Sequence, residues 1–476
     1  MSEIESALQG IWQEEPSLRP RPDLHDYPLT YPPAVQIERP QHARSIDDGE
    51  FERDVIGALP AAGYYFHFGF CVYRCRYCFH YELKIGENDA LMDRYVSALV
   101  REMATVRALT RMVRTGLYFL GGGTPTALPL PLLERFLGAL LLHYGPPPTE
   151  MSTVEAKPVT ASNEKLDALV SAGFRRINLG VQTLDPDLYA FHHHGESVEV
   201  ALDAVRRARE RGFRWINIDI MTGLEKQSPE SWQKTLHALE LLALRGEIDS
   251  FFIYPFHDDP RSRTFQKPER VPPFTETAES DAQARELADR LGWKELGARF
   301  YRSPRHVRRE LWELARTRMN PAYGEVLYHG FGNSSFSLGD RASYLNHRDV
   351  NRYCEAVAER GLGVSHAVTL DDGQRATRDV TFDMLYSPVT RVRSRIAKYG
   401  LSAMQRHLDL FDRWKRRGLA TDGGVSNKVL GTLSLTPRGK LLHQQMIPEH
   451  YLPEDRRTFV NVMQLRKESG KAYRGY

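Results

Sequence analysis

The sequence CVYRCRYC at residues 71–78 places three cysteines within eight residues, directly after the apolar aromatic run YYFHFGF at residues 64–70. Three thiolates at the spacing C-x3-C-x2-C can bind three irons of a [4Fe–4S] cube and leave the fourth iron without a protein ligand. An open iron is a place where a small molecule can bind and accept an electron. We therefore predict that Cys71, Cys75 and Cys78 are the metal ligands of a [4Fe–4S] cluster.

Two other interpretations of these cysteines stay open on the motif alone. Together with His80, the three cysteines could form a tetrahedral Cys3His zinc site. Structural zinc usually joins two separated ligand pairs, and no second Cys/His pair follows at the spacing of a zinc finger. The cysteines could also be buried and purely structural, although such a dense group rarely arises in that way.

The overall composition argues against several classes of protein. The 476 residues include 64 basic and 61 acidic side chains, so a net charge of +3 gives no general case for a nucleic-acid partner. No apolar run approaches the roughly 20 residues that span a bilayer, and the N-terminus MSEIESALQG lacks the basic-then-apolar order of a signal peptide. Four cysteines, three of them clustered, suit a reducing compartment, with Cys354 as a lone packed thiol. We predict a cytoplasmic protein that binds neither membrane nor nucleic acid.

Short β-rich runs alternate with helical stretches between residues 61 and 260. The predicted strands are residues 63–69, Gly116–Leu120, Ser152–Glu155, Arg176–Leu179, Trp215–Ile220 and Ser250–Tyr254. The predicted helices between them are Leu91–Leu109, Leu132–Leu142, Asn163–Ala172, Val198–Arg211 and Ser231–Leu242. This alternation indicates an α/β fold, in which parallel strands with right-handed crossovers form a partial (β/α)6 barrel. Functional groups should then lie at the carboxyl ends of the strands.

Five segments are predicted along the chain. They are a Pro-rich N-terminal arm (1–60), the partial barrel (61–260), a barrel extension with substrate-side loops (261–374), a winged-helix-like C-terminal domain (375–446) and a C-terminal tail (447–476). The arm is either extended over the core or partly disordered, and the sequence does not decide between these two.

The winged-helix prediction rests on a helix, a hairpin and a second helix in close succession. Met404, Leu408, Phe411 and Trp414 form one helical stripe, and a turn candidate follows at residues 422–424. Thr436 and Pro437 then open a further helix as its N-cap and first residue. Winged helices bind DNA in some proteins and serve as packing or lid domains in others, and the second role is the prediction here.

A second motif, GGGTPT at residues 121–126, follows the apolar strand LYFL at residues 117–120. Consecutive glycines let backbone amides and carbonyls approach a ligand without obstruction by Cβ atoms. At a strand end such a loop could bind the amino-acid end of a nucleotide-like cosubstrate. Glu155, Gln182 and Asp219 come at the ends of later strands, where they could bind ribose hydroxyls or an ammonium group.

With these motifs the chain resembles radical S-adenosylmethionine enzymes related to oxygen-independent coproporphyrinogen III oxidase. The resemblance covers about residues 64–446 and includes the cysteine motif, GGGTPT, VEAKP (154–158), RRINLGVQ (175–182), NIDIMTGL (217–224) and YHGFGNSSF (328–336).

The resemblance implies a role for each matching residue. The cluster would be bound by Cys71, Cys75 and Cys78, with Tyr65 and Tyr77 beside it. The residues implied to bind S-adenosylmethionine are Gly122, Gly123, Thr124, Glu155, Gln182, His194, Asp219 and Met221, with Asp219 at the ribose and Met221 near the adenine. A second S-adenosylmethionine can bind beside the first in this group of enzymes.

Three departures from the porphyrinogen oxidase pattern bear on the reaction. His80 stands where that enzyme has a further cysteine, His194 where it has an arginine toward the cosubstrate carboxylate, and Gly69 where a proline is usual. We therefore expect the methylating members of the family, the class C methyltransferase and cyclopropanation branch. These use one S-adenosylmethionine for the radical and the second as a one-carbon donor to an sp2 carbon.

The resulting hypothesis is C-methylation or cyclopropanation of an unsaturated small molecule in natural-product biosynthesis. Tyr65, His80 and His194 are the candidate catalytic residues, since histidine titrates near neutral pH. An external electron donor of the flavodoxin or ferredoxin type is expected, and a partner methyltransferase that finishes the product is an open alternative. The alternative functions are a coproporphyrinogen oxidase-like enzyme, a haem-methylating or haem-degrading enzyme, and a haem-trafficking protein without turnover.

Overall fold

The computed structural model describes residues 2–19, 56, 61–78, 83–86, 89–110, 114–256, 272–295, 299–304, 328–386, 389–423 and 431–453. Its strands, in chain order, are β1 (Ala61–Phe68), β2 (Phe70–Cys71), β3 (Leu83–Lys84), β4 (Arg114–Gly122), β5 (Thr153–Ala156), β6 (Arg176–Gln182), β7 (Trp215–Thr222), β8 (Ser250–Pro255), β9 (Lys294–Glu295), β10 (Phe300–Arg302), β11 (Tyr328–Phe331), β12 (Phe336–Leu338), β13 (Ala342–Asn346), β14 (Val364–Thr369), β15 (Ala420–Asp422) and β16 (Leu433–Leu435).

The helices surround the sheet and form the C-terminal region. In chain order they are α1 (Glu3–Glu14), α2 (Asp89–Leu109), α3 (Leu130–Tyr144), α4 (Asn163–Ser171), α5 (Pro186–His192), α6 (Val198–Glu210), α7 (Pro229–Leu244), α8 (Phe274–Arg290), α9 (Val350–Arg360), α10 (Asp372–Tyr386), α11 (Val392–Arg416), α12 (Pro437–Lys440) and α13 (His443–Met446). Among the helices described, none is long and apolar enough to cross a bilayer.

A sheet of twelve strands runs in the order β14-β13-β12-β11-β1-β4-β5-β6-β7-β8-β10-β9. Its central members, β1 and β4 to β8, are parallel and follow one another in chain order. Helices α2 to α7 connect them, so the predicted α/β half-barrel with six strands is confirmed. Each predicted strand and helix of this part is present, and several of the predicted first residues, such as Arg176, Trp215 and Ser250, are exact.

The half-barrel is extended on both sides. Strand β11 adds next to β1 in parallel, and β12 to β14 continue from it antiparallel. On the other side β10 and β9 add antiparallel to β8. The main core lies between the sheet and its helices, where Phe66 stacks on Phe331 with ring centroids 4.9 Å apart and meets Phe136 edge-on.

The C-terminal region has its own apolar cluster. The predicted stripe on α11 is buried at Met404, Phe411 and Trp414, and the antiparallel hairpin β15–β16 follows it. Thr436 caps α12 as predicted, because its side chain accepts a hydrogen bond from the Gly439 amide. The predicted turn at residues 422–424 lies partly outside the described residues.

The first residues of the predicted arm form a helix, which the sequence analysis did not predict. Ser2 caps α1, and Leu8, Ile11 and Trp12 are buried in the same cluster as the stripe of α11. Because apolar residues at this spacing occupy one helix face, α1 is stable only where a second apolar surface covers it. The predicted arm beyond residue 19 lies almost entirely outside the described residues.

Glu102 on α2 ties the half-barrel to its extension. Its fully buried carboxylate accepts four hydrogen bonds, from the Gly332 and Gly363 amides at 3.0 and 2.8 Å, Asn346 Nδ2 at 2.9 Å and the Tyr353 hydroxyl at 2.8 Å. Burial raises the pKa of Glu102 to about 6, and the four hydrogen bonds keep the rise small. One carboxylate thus fixes α2, α9 and the loops that flank β11 and β14.

We predict that Glu102→Gln lowers the free energy of unfolding by about 3 kcal/mol at pH 8. The new NH2 group replaces one carboxylate oxygen, so the N–H and O–H donors that bonded to that oxygen stay buried without an acceptor. Urea denaturation followed by circular dichroism would measure the loss. Glu134→Gln, an exposed change on α3, should stay within about 0.5 kcal/mol of the wild type. Equal unfolding curves for the two variants would contradict the structural role of Glu102.

Candidate functional site

The carboxyl ends of the six parallel strands meet at one edge of the half-barrel. The strands end at Phe68, Gly122, Ala156, Gln182, Thr222 and Pro255. The cysteine loop, the glycine loop and the predicted polar residues follow or occupy these ends. The edge is therefore the candidate active site, as the sequence predicted from strand order.

The cysteine loop leaves the end of β1 and is framed by the short parallel pair β2–β3. All its cysteines are free thiols, and Cys71 and Cys75 are buried. The Cys78 amide donates to the Cys75 carbonyl at 3.2 Å, so the loop turns back on itself between these two residues. His80, a predicted catalytic residue, lies outside the described residues.

Lys157 provides a cation for the cysteine loop. It follows β5, and its ammonium lies 2.9 Å from Cys75 Sγ and donates to the Tyr73 carbonyl at 3.1 Å. Burial by itself would lower the pKa of Lys157, but the charges of Cys75 and Cys71 outweigh it, and the pKa is raised. The sequence analysis quoted this lysine only within VEAKP and gave it no role.

Arg76 anchors the same loop to the far side of the half-barrel. Its guanidinium forms a two-pronged ion pair with the fully buried carboxylate of Glu225, at 2.9 and 3.2 Å. Phe191 lies beneath Arg76, with the guanidinium carbon 4.5 Å from the ring centroid. Because the two charged residues are 149 positions apart, sequence reasoning could not pair them.

The histidine triplet after α5 lies against the cysteine loop. His193 stacks on Tyr189 with ring centroids 4.2 Å apart, and its Nδ1 is 3.3 Å from the Tyr73 hydroxyl. Burial lowers the pKa of His192 to about 4 and that of His193 to about 3, so both are neutral and weakly basic at pH 7. These two rings therefore shape the site and are not poised to exchange protons.

His194 is the exposed member of the triplet. Its φ is +57°, and its Nε2 is 2.8 Å from the Arg74 carbonyl of the cysteine loop. The ring also lies 4.7 Å from that of Tyr73. The structure thus places His194 at the rim of the site, and its predicted roles toward cosubstrate and proton stay predictions.

Each residue of the glycine loop is confined by a close neighbour. A Cβ on Gly121 would lie 2.7 Å from Glu155 Oε2, and one on Gly123 would lie 2.6 Å from the carbonyl oxygens of Phe68 and Phe70. Gly122 has a φ of +100°, which disfavours any side chain. The sequence GGG is therefore required for the loop to fit between β1 and β5.

The glycine loop touches the cysteine loop directly. Thr124 is buried, and its Oγ1 lies 3.4 Å from Cys71 Sγ. Tyr65 stands on the same strand as His67, and its hydroxyl lies 2.9 Å from His67 Nδ1, next to Gly122. Tyr65, Thr124 and the glycines thus lie between the cysteine loop and the carboxylates of Glu155 and Asp219.

Glu155 and Asp219 form the polar floor of this space. Burial raises the pKa of Glu155 to about 8, with a further contribution from the negative charge of Asp219. Burial also raises the pKa of Asp219 to about 7, while a hydrogen bond from Asn217 and the charge of Arg176 limit the rise. Two carboxyl groups that resist ionisation in the free protein would gain strongly from a cationic ligand.

Gln182 and Met221 complete the predicted set of residues. Gln182 ends β6 with a φ of +71°, an unusual backbone conformation that functional sites often retain. Met221 is buried with Leu188 and Leu224, and Tyr77 of the cysteine loop packs against this apolar group. All predicted site residues within the described part of the chain therefore lie at this edge.

The donor set fits an iron–sulfur cluster. The loop carries three free thiols, with a lysine ammonium against one of the sulfurs. The glycine loop packs closely beside it, with Thr124 Oγ1 3.4 Å from Cys71 Sγ. In the part of the chain that the structure describes, no three His, Cys, Asp or Glu side chains converge on one point as a single metal ion would require. Each thiolate of a cube-shaped cluster binds a different iron, so its ligands need no common point.

Comparison with known proteins agrees with this geometry. Residues 65–239 match the sequence profile of the radical SAM superfamily. The matched stretch runs from β1 into α7 and contains the cysteine loop, the glycine loop and both carboxylates. These residues form a radical SAM domain, and the superfamily implies one [4Fe–4S] cluster and S-adenosylmethionine.

Relatives and structures extend the similarity to most of the chain. The chain is 29% identical over 308 residues to the haem chaperone HemW of Synechocystis sp., covering 62% of this chain and 70% of that protein. It is 26% identical over 449 residues to the oxygen-independent coproporphyrinogen III oxidase of Pseudomonas aeruginosa, covering 91% and 95%. The structure of coproporphyrinogen III oxidase (HemN) from Escherichia coli, a radical SAM enzyme, aligns with a TM-score of 0.72 and 20% identity, covering 86% of this chain and 94% of that one.

These relatives change the balance among the predicted functions. They support radical SAM chemistry of the HemN and HemW type, which the sequence analysis gave as an alternative. They do not support the methyltransferase and cyclopropanation branch, nor a second S-adenosylmethionine. The departures noted at His80, His194 and Gly69 are therefore not enough to assign the chain to that branch.

We predict that Gly123→Ala abolishes cosubstrate binding, because its Cβ would meet two backbone carbonyls that cannot move aside. Isothermal titration of the cluster-loaded protein with S-adenosylmethionine would test this. Gly138→Ala on α3, where nothing lies within 4 Å of the new Cβ, is the matched control and should bind normally. Normal binding by Gly123→Ala would show that the glycine loop is not the binding loop.

We also predict that cosubstrate affinity rises with pH between 6 and 8. The raised pKa values mean that Glu155 and Asp219 hold protons at pH 6 and must lose them to pair with a cation. An affinity gain of at least about tenfold is expected, since one pKa unit corresponds to a factor of ten in the fraction ionised.

Calorimetry in two buffers of different ionisation enthalpy would detect the protons released. Glu155→Gln is the reference, because it removes one titrating group and leaves the cosubstrate's own titration in place. A pH dependence identical in the two proteins would contradict the assignment of Glu155.

Proposed function

We propose that this protein cleaves S-adenosylmethionine at a [4Fe–4S] cluster bound by Cys71, Cys75 and Cys78, and that it directs the resulting radical at a tetrapyrrole-class substrate. The main support for this proposal is the contact between Cys71 Sγ and Thr124 Oγ1, 3.4 Å apart, which joins the cysteine loop to the glycine loop. A cosubstrate in the glycine loop would therefore lie against the cluster.

Different residues would bind different parts of the cosubstrate. The glycine loop would hold the methionyl part of the cosubstrate, and Glu155 would accept a hydrogen bond from one of its donor groups. Asp219, fixed by Asn217 Nδ2 at 2.7 Å, would bind the ribose, and Met221 would pack beside the adenine. When bound, the cluster supplies one electron to the sulfonium, whose cleavage gives methionine and a 5′-deoxyadenosyl radical.

The protein's own contribution is orientation and the exclusion of water. The cysteine loop is held by Arg76–Glu225 on one side and by Lys157 on the other, so the two loops face each other in a fixed arrangement. The buried side chains of Leu188, Met221 and Leu224, with Tyr77 packed against them, would close the site on the third side. A rigid site of this kind would hold the radical next to the intended hydrogen atom of the substrate, so that the radical reacts there before it reacts elsewhere.

The tetrapyrrole substrate is supported by the names of the relatives. One relative that this chain matches over 91% of its length is a coproporphyrinogen III oxidase, and another is a haem chaperone. Methyl or methylene transfer to an sp2 carbon is the second candidate. It is favoured by His194, which stands at the rim bonded to the Arg74 carbonyl where an arginine would be expected in a porphyrinogen oxidase.

Anaerobic turnover with dithionite and methyl-deuterated S-adenosylmethionine separates the candidates. Coproporphyrinogen III and a panel of unsaturated heteroaromatic compounds would be offered, and the nucleoside products followed by mass spectrometry. Undeuterated 5′-deoxyadenosine that depends on coproporphyrinogen III is the expected result. Deuterium in 5′-deoxyadenosine, together with S-adenosylhomocysteine, would instead support one-carbon transfer. Tight haem binding without cleavage by a cluster-loaded protein would support the haem-chaperone function.

Cysteine variants show whether the cluster is the one proposed. Cys75→Ala should lose at least one iron per chain and all cleavage, as measured by iron analysis and the nucleoside assay. Cys354→Ala is the matched control, because Cys354 is an equally buried thiol on α9, outside the cysteine loop. Full iron content in Cys75→Ala would overturn the ligand assignment.

A further inference from the structure

Lys157 is a charged side chain of the site that has no part in the proposed binding of the cosubstrate. Its ammonium contacts a sulfur, Cys75 Sγ at 2.9 Å, a carbonyl oxygen, Tyr73 O at 3.1 Å, and an aromatic face, the Tyr73 ring at 3.9 Å. None of these three partners is a carboxylate. The Glu196 carboxylate also interacts electrostatically with Lys157. The groups that contact the ammonium directly belong to the cysteine loop, so the positive charge is directed at that loop.

The position of Lys157 is fixed by its backbone. Pro158 follows it and opens a short 3-10 turn, and the Lys157 carbonyl accepts hydrogen bonds from the Thr160 amide and hydroxyl at 3.0 and 2.9 Å. The Thr160 hydroxyl in turn lies 2.6 Å from Thr126 Oγ1 after the glycine loop. Lys157 thus projects from a rigid strand end and contacts the cysteine loop there.

Arg76, a cation within the cysteine loop, is already neutralised. Arg76 faces Glu225 with both prongs of its guanidinium, so its charge is spent on a buried ion pair. Lys157 also interacts electrostatically with all three cysteines, most strongly with Cys75 and then with Cys71 and Cys78. A fixed positive charge against the sulfurs stabilises whichever state of a bound cluster carries more negative charge.

We propose that Lys157 sets the reduction potential of the cluster by donating a hydrogen bond to Cys75 and holding a positive charge beside its sulfur. This inference rests on the proposed function, because it requires the cluster. The step is the uptake of one electron from a low-potential donor, a flavodoxin or ferredoxin in the cell or dithionite in the assay. The oxidised [4Fe–4S]2+ state becomes [4Fe–4S]1+, Lys157 keeps its proton, and no bond to sulfur is broken.

Charge and hydrogen bonds at the sulfurs are established determinants of iron–sulfur potentials. Lys157 raises the potential, so that a larger fraction of the cluster is reduced at a given donor potential. The lysine is thereby a positioning and tuning residue, and it contributes to radical formation without touching the reacting carbon.

The test is an anaerobic redox titration of the reconstituted full chain, with the reduced cluster counted by electron paramagnetic resonance and iron measured per chain. In Lys157→Met the ratio of reduced to oxidised cluster at a fixed potential should fall about tenfold, equivalent to about 59 mV for a one-electron couple. Lys157→Arg keeps the charge and should stay near the wild type. Lys165→Met removes a cation that donates to the Thr126 carbonyl, 2.7 Å away, and should leave the potential unchanged.

Each outcome decides between charge and structure. An unchanged midpoint in Lys157→Met at full iron content would overturn the inference and leave the proposed function intact. Failure of the wild type to assemble a cluster would instead overturn the proposed function. If Lys157→Met loses iron, Lys157→Gln provides the same readout with a side chain that can still donate to Tyr73 O. Loss of iron from both neutral variants would assign Lys157 to cluster assembly and overturn the tuning role.

Discussion

The carboxyl ends of six parallel strands must meet at one edge, and the rest of the site depends on this constraint. In a parallel sheet every strand leaves the core in the same direction, so each connection to a helix begins at the same edge. Residues as far apart in the sequence as Cys71 and Asp219 are therefore brought to the same edge of the sheet. The Glu102 carboxylate then fixes β11 and its neighbours against α2, which keeps the first strand of the half-barrel in place.

The electrostatics of this edge are unbalanced toward negative charge. Three thiols and the carboxyl groups of Glu155 and Asp219 lie at this edge, while Arg76 is paired with Glu225 and the charge of Arg176 acts on Asp219. Lys157 offsets one part of this charge, and the raised pKa values of Glu155 and Asp219 show that another part is suppressed by protonation. A ligand with a sulfonium and an ammonium group would supply the missing positive charge. The site is thus built to be completed by a cation.

Much of the fold could be predicted from sequence, because period-2 and helical patterns are local. Short stretches of sequence are enough to predict the half-barrel strands, the cysteine motif, the glycine loop and the stripe on α11. The Lys157–Cys75 contact and the Arg76–Glu225 ion pair could not be predicted, since each joins single charged residues far apart in the chain. The four hydrogen bonds of Glu102 could not be predicted for the same reason, since its partners lie at least 230 positions away. The relatives favour the alternative functions over methyl transfer, because similarity over most of the chain carries more weight than single-residue departures.

The burial of α1 in the C-terminal cluster has a consequence for how the chain is made. Leu8 and Trp12 are synthesised before Phe411 and Trp414, which belong to the same cluster but lie about 400 positions later in the chain. At roughly 5–20 residues per second, α1 waits tens of seconds on the ribosome with its apolar face uncovered. The half-barrel can form during this interval, because its strands follow one another along the chain. The C-terminal apolar cluster, which includes α1, is therefore completed after the half-barrel.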